Sequence, residues 1–210
     1  MDGVPLKIVG EFTYLGSTLS RDGDLDIEIQ QRVAKASSAF GRLRARLWNN
    51  HHVTIKIKCQ IYQAVILTAL LYGTESWAIK QKHVKRLHAI QMRHLRSIMG
   101  LRWTDKVTNI EILKRAGLPS MENQLTRRNL RWAGHVAHMG DERLPKQIIF
   151  SQLKEGKRDQ GRPKLRYKDV IKRNLRKRNI PTTSWFDTAQ DRNNWRRACQ
   201  EKFIVESTNS

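Results

Sequence analysis

The sequence has no long apolar run and few cysteines, and both absences exclude classes of protein. Its longest apolar stretch, residues 64–72, is about half the ~20 residues that a membrane-spanning helix needs. The two cysteines, Cys59 and Cys199, are too far apart for a disulfide-rich scaffold or a zinc knuckle. Residues 1–5 are neither basic nor followed by a long apolar region, so we expect no signal peptide. We therefore expect a protein of a reducing compartment, the nucleus or the cytoplasm.

Acidic residues are also scarce, and this scarcity points to a polyanionic partner. The 210 residues include 40 lysines and arginines but only 19 acidic residues, which gives a net charge of +21. Residues 1–31 hold two basic and six acidic residues, whereas residues 80–102 hold seven basic residues and no acid. Residues 151–180 hold twelve basic and three acidic residues. Such a charge favours binding to nucleic acid, and we prefer this partner to the alternative, an anionic membrane surface.

The residues that are present predict a mainly α chain that begins with a β-hairpin. Hydrophobic residues make up 39% of the chain, enough for a folded core. Strand-forming residues from Ile8 to Leu15, with a turn at Gly10-Glu11, indicate two short strands. Apolar periodicity and capping residues predict helices over about 24–48, 55–71, 80–99, 108–117, 120–139, 164–178 and 184–203, the last begun by Ser184 with Asp187.

The first predicted helix combines an apolar stripe with a basic side. Apolar residues recur at spacings of three and four from Ile29 to Leu47, as in a helix that is buried on one face. Beside this stripe lie four cations: Arg32, Lys35, Arg42 and Arg46. Cations so spaced on a rigid helix can follow a nucleic-acid backbone without reading its bases. An ordinary solvated face is the alternative, but Glu28 is the only plausible acidic partner, so we favour binding.

Several short motifs occur along the chain in an order typical of one family. They are FTYLG at Phe12–Gly16, YG-x-E-x-W at Tyr72–Trp77, RW-x-GH-x-x-RM at Arg131–Met139, GKR and GRP at Gly156–Arg158 and Gly161–Pro163, and DR-x-x-WR at Asp191–Arg196. Together they resemble the reverse transcriptases of LINE-like, non-LTR retrotransposons, the kind usually fused to an endonuclease. One departure is that His138 stands where the family usually has arginine, which would weaken a phosphate or carboxylate contact there.

The resemblance implies a C-terminal fragment of such an RNA-directed DNA polymerase. Residues 1–24 would be a primer-grip hairpin and residues 25–103 a three-helix thumb-like bundle. Residues 104–150 would form a helical connector, and residues 151–210 a basic, helical C-terminal region. In the family the Tyr-Leu-Gly of the primer grip contacts the primer strand near its 3′ end, which assigns that role to Tyr14, Leu15 and Gly16.

Catalytic and metal-binding residues are not expected in this chain. The paired aspartates that hold two magnesium ions in these polymerases have no counterpart, because no Asp-Asp pair occurs in the sequence. Asp22, Asp24 and Asp26 alternate near a turn, but the resemblance places them beyond the primer grip. His135 and His138 share one helical face without the further ligands of a tetrahedral site. Mg²⁺ is therefore expected only for a complete parent polymerase.

The expected partner is RNA, RNA–DNA hybrid or DNA, together with the missing palm and fingers of the polymerase. Further candidate binding residues are Lys85, Arg86, Arg93 and Arg96 on the third helix, and Lys157, Arg158, Arg162, Lys164, Arg166, Lys168, Lys172 and Arg173 towards the C-terminus. The stretch 157–164 also resembles an AT-hook of the DNA minor groove, although Gln160 replaces its first core arginine. Three alternatives stay open: a domesticated adaptor for protein partners, a basic chromatin module, and a remnant without a selected function.

Overall fold

The computed structural model describes residues 9–150 and 165–200, which form two compact units. The first unit comprises the described residues up to Gly73 together with Lys85–Gly117, and the second comprises Thr74–Val84 with the described residues from Leu118 onwards. The prediction of a mainly α chain with an N-terminal β-hairpin is confirmed. The GKR and GRP motifs, with Lys157, Arg158, Arg162 and Lys164, lie outside the described residues.

The hairpin consists of two antiparallel strands, β1 (Glu11–Tyr14) and β2 (Ser17–Ser20). Phe12 lies opposite Leu19, so the connection is the two-residue turn Leu15-Gly16. Both turn residues have positive φ, 47° and 82°, as the turns that suit the twist of a hairpin require. The predicted turn at Gly10-Glu11 is therefore wrong, because Gly16 supplies the left-handed conformation that closes the strands.

The helical part of the first unit surrounds one aromatic cluster. Helix α1 (Asp26–Arg42) is followed by a π-helical stretch, Arg44–Trp48. Helix α2 (Ile55–Ile61) runs through a π-helical stretch, Tyr62–Leu67, into α3 (Thr68–Leu70). Helix α4 (Gln81–Ile98), which belongs to this unit from Lys85 onwards, and α5 (Asn109–Ala116) complete the series. The ring of Phe40 stacks on Trp48 at 5.0 Å and on His94 at 4.1 Å, and Tyr62 meets both Phe40 and His94 edge to face.

The second unit is built around α6 (Met121–Ala137), with α7 (Leu144–Phe150), α8 (Tyr167–Lys177), α9 (Trp185–Gln190) and α10 (Arg192–Gln200) packed about it. Helix α7 is not among the predicted helices. The final predicted helix is wrong as a single element, since the chain leaves helical geometry at Asp191. The Asp191 carboxylate accepts hydrogen bonds from the N–H groups of Asn193 and Asn194 and so begins a separate helix.

Each unit contains one buried, free cysteine: Cys59 in the first and Cys199 in the second. Burial raises the pKa of the Cys59 thiol. Burial likewise raises the pKa of Cys199 to about 12, against the opposing effect of Arg178 and Arg131. Within the described ranges, no helix is both long enough and apolar enough to cross a membrane.

Candidate nucleic-acid interface

The hairpin turns a polar face towards α1 and an apolar face towards solvent. Phe12 and Tyr14 stack at 6.3 Å on the outer face, and they are 56% and 59% exposed. Leu19, opposite Phe12, is also exposed, as are Leu15 and Gly16 at the turn. The predicted primer-contact residues Tyr14, Leu15 and Gly16 are therefore accessible, but the carbonyl of Gly16 is directed to the helix.

Arg32 anchors the hairpin to α1. Its Nε donates to Glu28 Oε1 at 2.7 Å, and its Nη2 donates to the carbonyl of Gly16 at 2.6 Å. The guanidinium also lies 4.5 Å from the ring centroid of Tyr72, whose hydroxyl donates to the carbonyl of Leu15. The other Glu28 oxygen accepts the backbone N–H of the buried Thr18 at 2.7 Å.

This geometry corrects the placement of Arg32 among solvent-facing cations. Only 5% of the residue is exposed, and its donors point to the hairpin and to Glu28 rather than outwards. A buried guanidinium needs such partners, because an unpaired charge removed from water is costly. The sequence alone shows that Glu28 and Arg32 lie one helical turn apart. The other two partners of Arg32, the carbonyl of Gly16 and the ring of Tyr72, come from distant positions in the sequence.

The other cations predicted on the first helix remain on the surface. Lys35, Arg42 and Arg46 are exposed, with the Lys35 ammonium 3.4 Å from the carbonyl of Gly16. On α4 the residues Lys85, Arg86 and Arg93 are exposed. Arg96 is half-buried instead, and its guanidinium donates to Val107 O and Asn109 Oδ1.

Acidic residues are almost absent from this part of the chain. Between Ile29 and Thr104 the sequence holds fourteen lysines and arginines and a single acid, Glu75. The exposed cations of α1 and α4 therefore have few carboxylates near them in sequence that could neutralise their positive potential. Such a surface attracts polyanions over a distance set by the ionic strength.

The basic residues of α8 divide between solvent and the interior of the second unit. Lys172 is exposed, Lys168 is half-buried, and Arg166 pairs with Asp169 at 3.1 Å. Arg173 donates to the carbonyl of Ile79 at 3.0 Å. Lys177 and Arg178 bond to Glu122 and Asn123 of α6. Several of these basic side chains therefore bond to neighbouring residues and hold α8 in place within the second unit.

Two of the sequence motifs, RW-x-GH-x-x-RM at the end of α6 and DR-x-x-WR at the start of α10, meet in the second unit. A β-carbon at Gly134 would overlap the indole of Trp195, so glycine is needed for α10 to approach α6. The indole Nε1 donates to the carbonyl of Leu130 at 3.0 Å. A third motif also belongs here, because the carbonyl of Glu75 accepts the Tyr167 hydroxyl at 2.6 Å. These motif residues hold the unit together.

The remaining basic residues of the two motifs line one cleft of about 340 Å³ between α6 and α10. Arg131, His135, Arg192 and Arg196 are exposed there, and His138 is half-buried. None of the three arginines is among the residues predicted from the sequence to bind nucleic acid. The motifs contained the signal, but their meeting in space could not be read from their spacing.

The chain resembles a transposon-derived protein over most of its length. It is 26% identical over 199 residues to an uncharacterized transposon-derived protein of Caenorhabditis elegans, covering 90% of this chain and 70% of that protein. The chain is of transposon-related origin. A weaker similarity, 27% identity over 105 residues, relates it to the RNA-directed DNA polymerase from the mobile element jockey of Drosophila melanogaster.

The similarity to the jockey polymerase is limited in extent. It covers 48% of this chain and 11% of the length of that polymerase. No protein-family model and no solved structure match the chain. The retrotransposon relationship expected from the motifs is confirmed at this level, whereas the assignment to a thumb and C-terminal region stays a prediction.

Proposed function

We propose that the chain is the nucleic-acid-binding thumb and C-terminal part of a retrotransposon RNA-directed DNA polymerase. It would hold RNA, RNA–DNA hybrid or DNA through the sugar-phosphate backbone and would not be catalytic alone. The observation that carries the proposal is the row of exposed cations on α1 and α4 within a stretch that has one acid.

The spacing of these cations suits a backbone contact. Lys35 and Arg42 are seven residues apart, which places them about 10 Å apart along the same side of a straight helix. Rigid helices that present cations in this way neutralise phosphates and release counterions, a source of affinity that is independent of sequence. Arg32 contributes indirectly, because it holds the exposed hairpin beside Lys35.

The apolar face of the hairpin supports the further proposal that a protein surface covers it. Phe12, Tyr14, Leu15 and Leu19 are each more than half exposed, and together they form a patch on a two-stranded sheet. Isolated hairpins are marginal in water, and exposed apolar patches commonly mark interaction sites. The palm of the polymerase is the partner that the resemblance implies.

Binding to a primed duplex tests the proposal. Affinity should fall by about 10³–10⁵ between 50 and 200 mM salt if roughly 6–10 phosphates are contacted. Lys35→Glu, Arg42→Glu and Arg46→Glu together should weaken binding and flatten the salt dependence. The matched control, Lys114→Glu, Arg143→Glu and Arg197→Glu, makes the same charge change at other exposed sites and should weaken binding less. An affinity that does not change with salt would contradict the proposal.

A primer-extension assay tests the catalytic part separately. Purified protein with a primed RNA template, Mg²⁺ and deoxynucleotides should give no extension, because the paired aspartates are missing from the sequence. Extension that Asp22→Asn or Asp24→Asn abolishes would show that these residues form a polymerase site after all.

A further inference from the structure

We propose that the cleft between α6 and α10 is a phosphate-binding site, formed by Arg131, Arg192 and Arg196 with His135 and His138. The site binds the phosphodiesters of a nucleic-acid chain. The choice of nucleic acid as the ligand rests on the proposed function. The sequence motifs suggested only a weakened phosphate or carboxylate contact at His138, and the cleft adds three arginines and His135 to that position.

The rigid frame of the cleft comes from one close contact. Because position 134 has no side chain, the Trp195 indole lies directly against α6 and donates its N–H to the carbonyl of Leu130. Trp195 is 5% exposed, so its contacts are with the core. With α10 fixed in this way, Arg192 and Arg196, one turn apart, stand across the cleft from Arg131 and His135, which are also one turn apart.

The charge lining the cleft is of one sign. Three arginines and two histidines line it, and among the described residues no carboxylate does. The nearest acid in sequence, Asp191, accepts from the N–H groups of Asn193 and Asn194, so it serves the start of α10. Arginines that converge without a structural anion make a good receptor for phosphate, because the planar guanidinium binds two oxygens at once.

An adjoining cleft favours a polymeric ligand over a single small anion. Along α6 a second cleft of about 380 Å³ shares Arg131 and His135 with the first, and its lining adds Arg127, Arg128 and a single carboxylate, that of Glu75. Phosphates at successive positions of one strand could therefore occupy both clefts. A free phosphate or nucleotide would fill only one of them.

The test compares two double variants that remove the same charge from the second unit. Arg131→Gln with Arg196→Gln changes the cleft, whereas Arg143→Gln with Arg197→Gln changes exposed arginines outside it. For a single-stranded oligonucleotide, the cleft variant should lose about tenfold or more in affinity. Its salt slope should also fall by about two, one for each phosphate contact removed. The control should stay within about threefold of the unchanged protein, with the same slope.

A second measurement uses inorganic phosphate at constant ionic strength. The imidazole resonances of His135 and His138 should shift and saturate in the unchanged protein and in the control, but not in the cleft variant. Absence of saturable shifts in the unchanged protein would overturn the site. Saturable shifts with equal oligonucleotide affinity in the two variants would leave a small-phosphate site and overturn the nucleic-acid assignment. If oligonucleotides fail to bind at all while phosphate does, the proposed function fails and the cleft stands.

Discussion

Trp195 occupies the space that a side chain at position 134 would fill, so the packing of α10 on α6 depends on a glycine. Gly134→Ala should therefore destabilise the protein by about 1–3 kcal/mol, the usual cost of forcing an extra carbon into a packed core. Gly41→Ala is the matched control, since that helical glycine has open space around it. It should stabilise the protein by up to ~1 kcal/mol. Urea unfolding measures both, and a Gly134→Ala protein of unchanged stability would refute the packing argument.

The ion pair between Glu28 and Arg32 should matter far more than a similar pair on the surface. Glu28→Gln leaves the Arg32 guanidinium buried without its counter-charge, a change that typically costs about 3–5 kcal/mol. Glu111→Gln breaks an exposed pair with Arg115 at the same spacing and should change stability far less, because solvent screens that pair. Equal costs for the two variants, measured by urea unfolding, would mean that Arg32 does not depend on Glu28.

Hydrogen exchange should show that the hairpin is the less stable part of the first unit. Its first strand is exposed throughout, whereas residues 61–67 include the fully buried Tyr62 and Ile66. Amides of residues 12–16 should therefore exchange faster than those of residues 61–67, because elements with little buried surface open locally. Glu28→Gln should accelerate exchange at Thr18 further. Equal protection of the two segments would show that the hairpin has a stable core of its own.

Acid should weaken the first unit through His94. Burial, with a smaller contribution from Arg93, lowers the pKa of His94 to about 4, below its usual value of 6.5. The unfolded chain therefore binds a proton more readily, and the stability associated with neutral His94 is present above pH 6.5 and is lost as the pH falls to about 4. The loss is on the order of 3 kcal/mol, since one pKa unit corresponds to about 1.4 kcal/mol.

The variant His94→Phe tests this pH dependence. Phenylalanine keeps a ring against Phe40 but cannot take up a proton, so the unfolding free energy should vary less between pH 7 and pH 4. The matched control is His52→Gln, which removes an imidazole from an exposed position. The unfolding free energy of His94→Phe should still depend on pH to some extent, because burial and Arg96 also lower the pKa of His88. An unaltered pH profile in His94→Phe would exclude His94 as its source.

Gln91 offers a way to stabilise the protein. Its side chain is fully buried, and neither amide atom has a hydrogen-bond partner within the described part of the chain. Gln91→Met keeps a similar length and removes the cost of burying the amide, so it should stabilise the protein by about 1–3 kcal/mol. Gln60→Met, at an exposed helical position, should change stability by less than about 0.5 kcal/mol. A destabilised Gln91→Met protein would indicate that the amide is satisfied.

Local signals in the sequence were good predictors of several helix ends. Thr108 and Ser120 accept the N–H groups of Glu111 and Asn123, as expected for N-caps, and Gly117 ends α5 with φ of 65°. These features depend on residues within one turn of each other. The break at Asp191 was missed although its cap is local, since Asp191 accepts the N–H groups of Asn193 and Asn194.

The candidate sites depended more on contacts between distant residues. The burial of Arg32 follows from Gly16 and Tyr72, which lie sixteen and forty residues away in the sequence. The cleft of the second unit follows from a glycine and a tryptophan more than sixty residues apart. Composition and motifs predicted a basic, retrotransposon-related chain, but which cations are on the surface is decided by tertiary packing.

The two buried cysteines give each unit a chemical reporter of its own. A thiol that is shielded from water and whose pKa is raised contains little of the thiolate that reacts with alkylating reagents. Modification of Cys59 therefore records exposure of the first unit, and modification of Cys199 records exposure of the second. Mass spectrometry after timed alkylation would follow both in one sample. The protein as it stands thus allows the cooperativity between its two units to be measured without an introduced label.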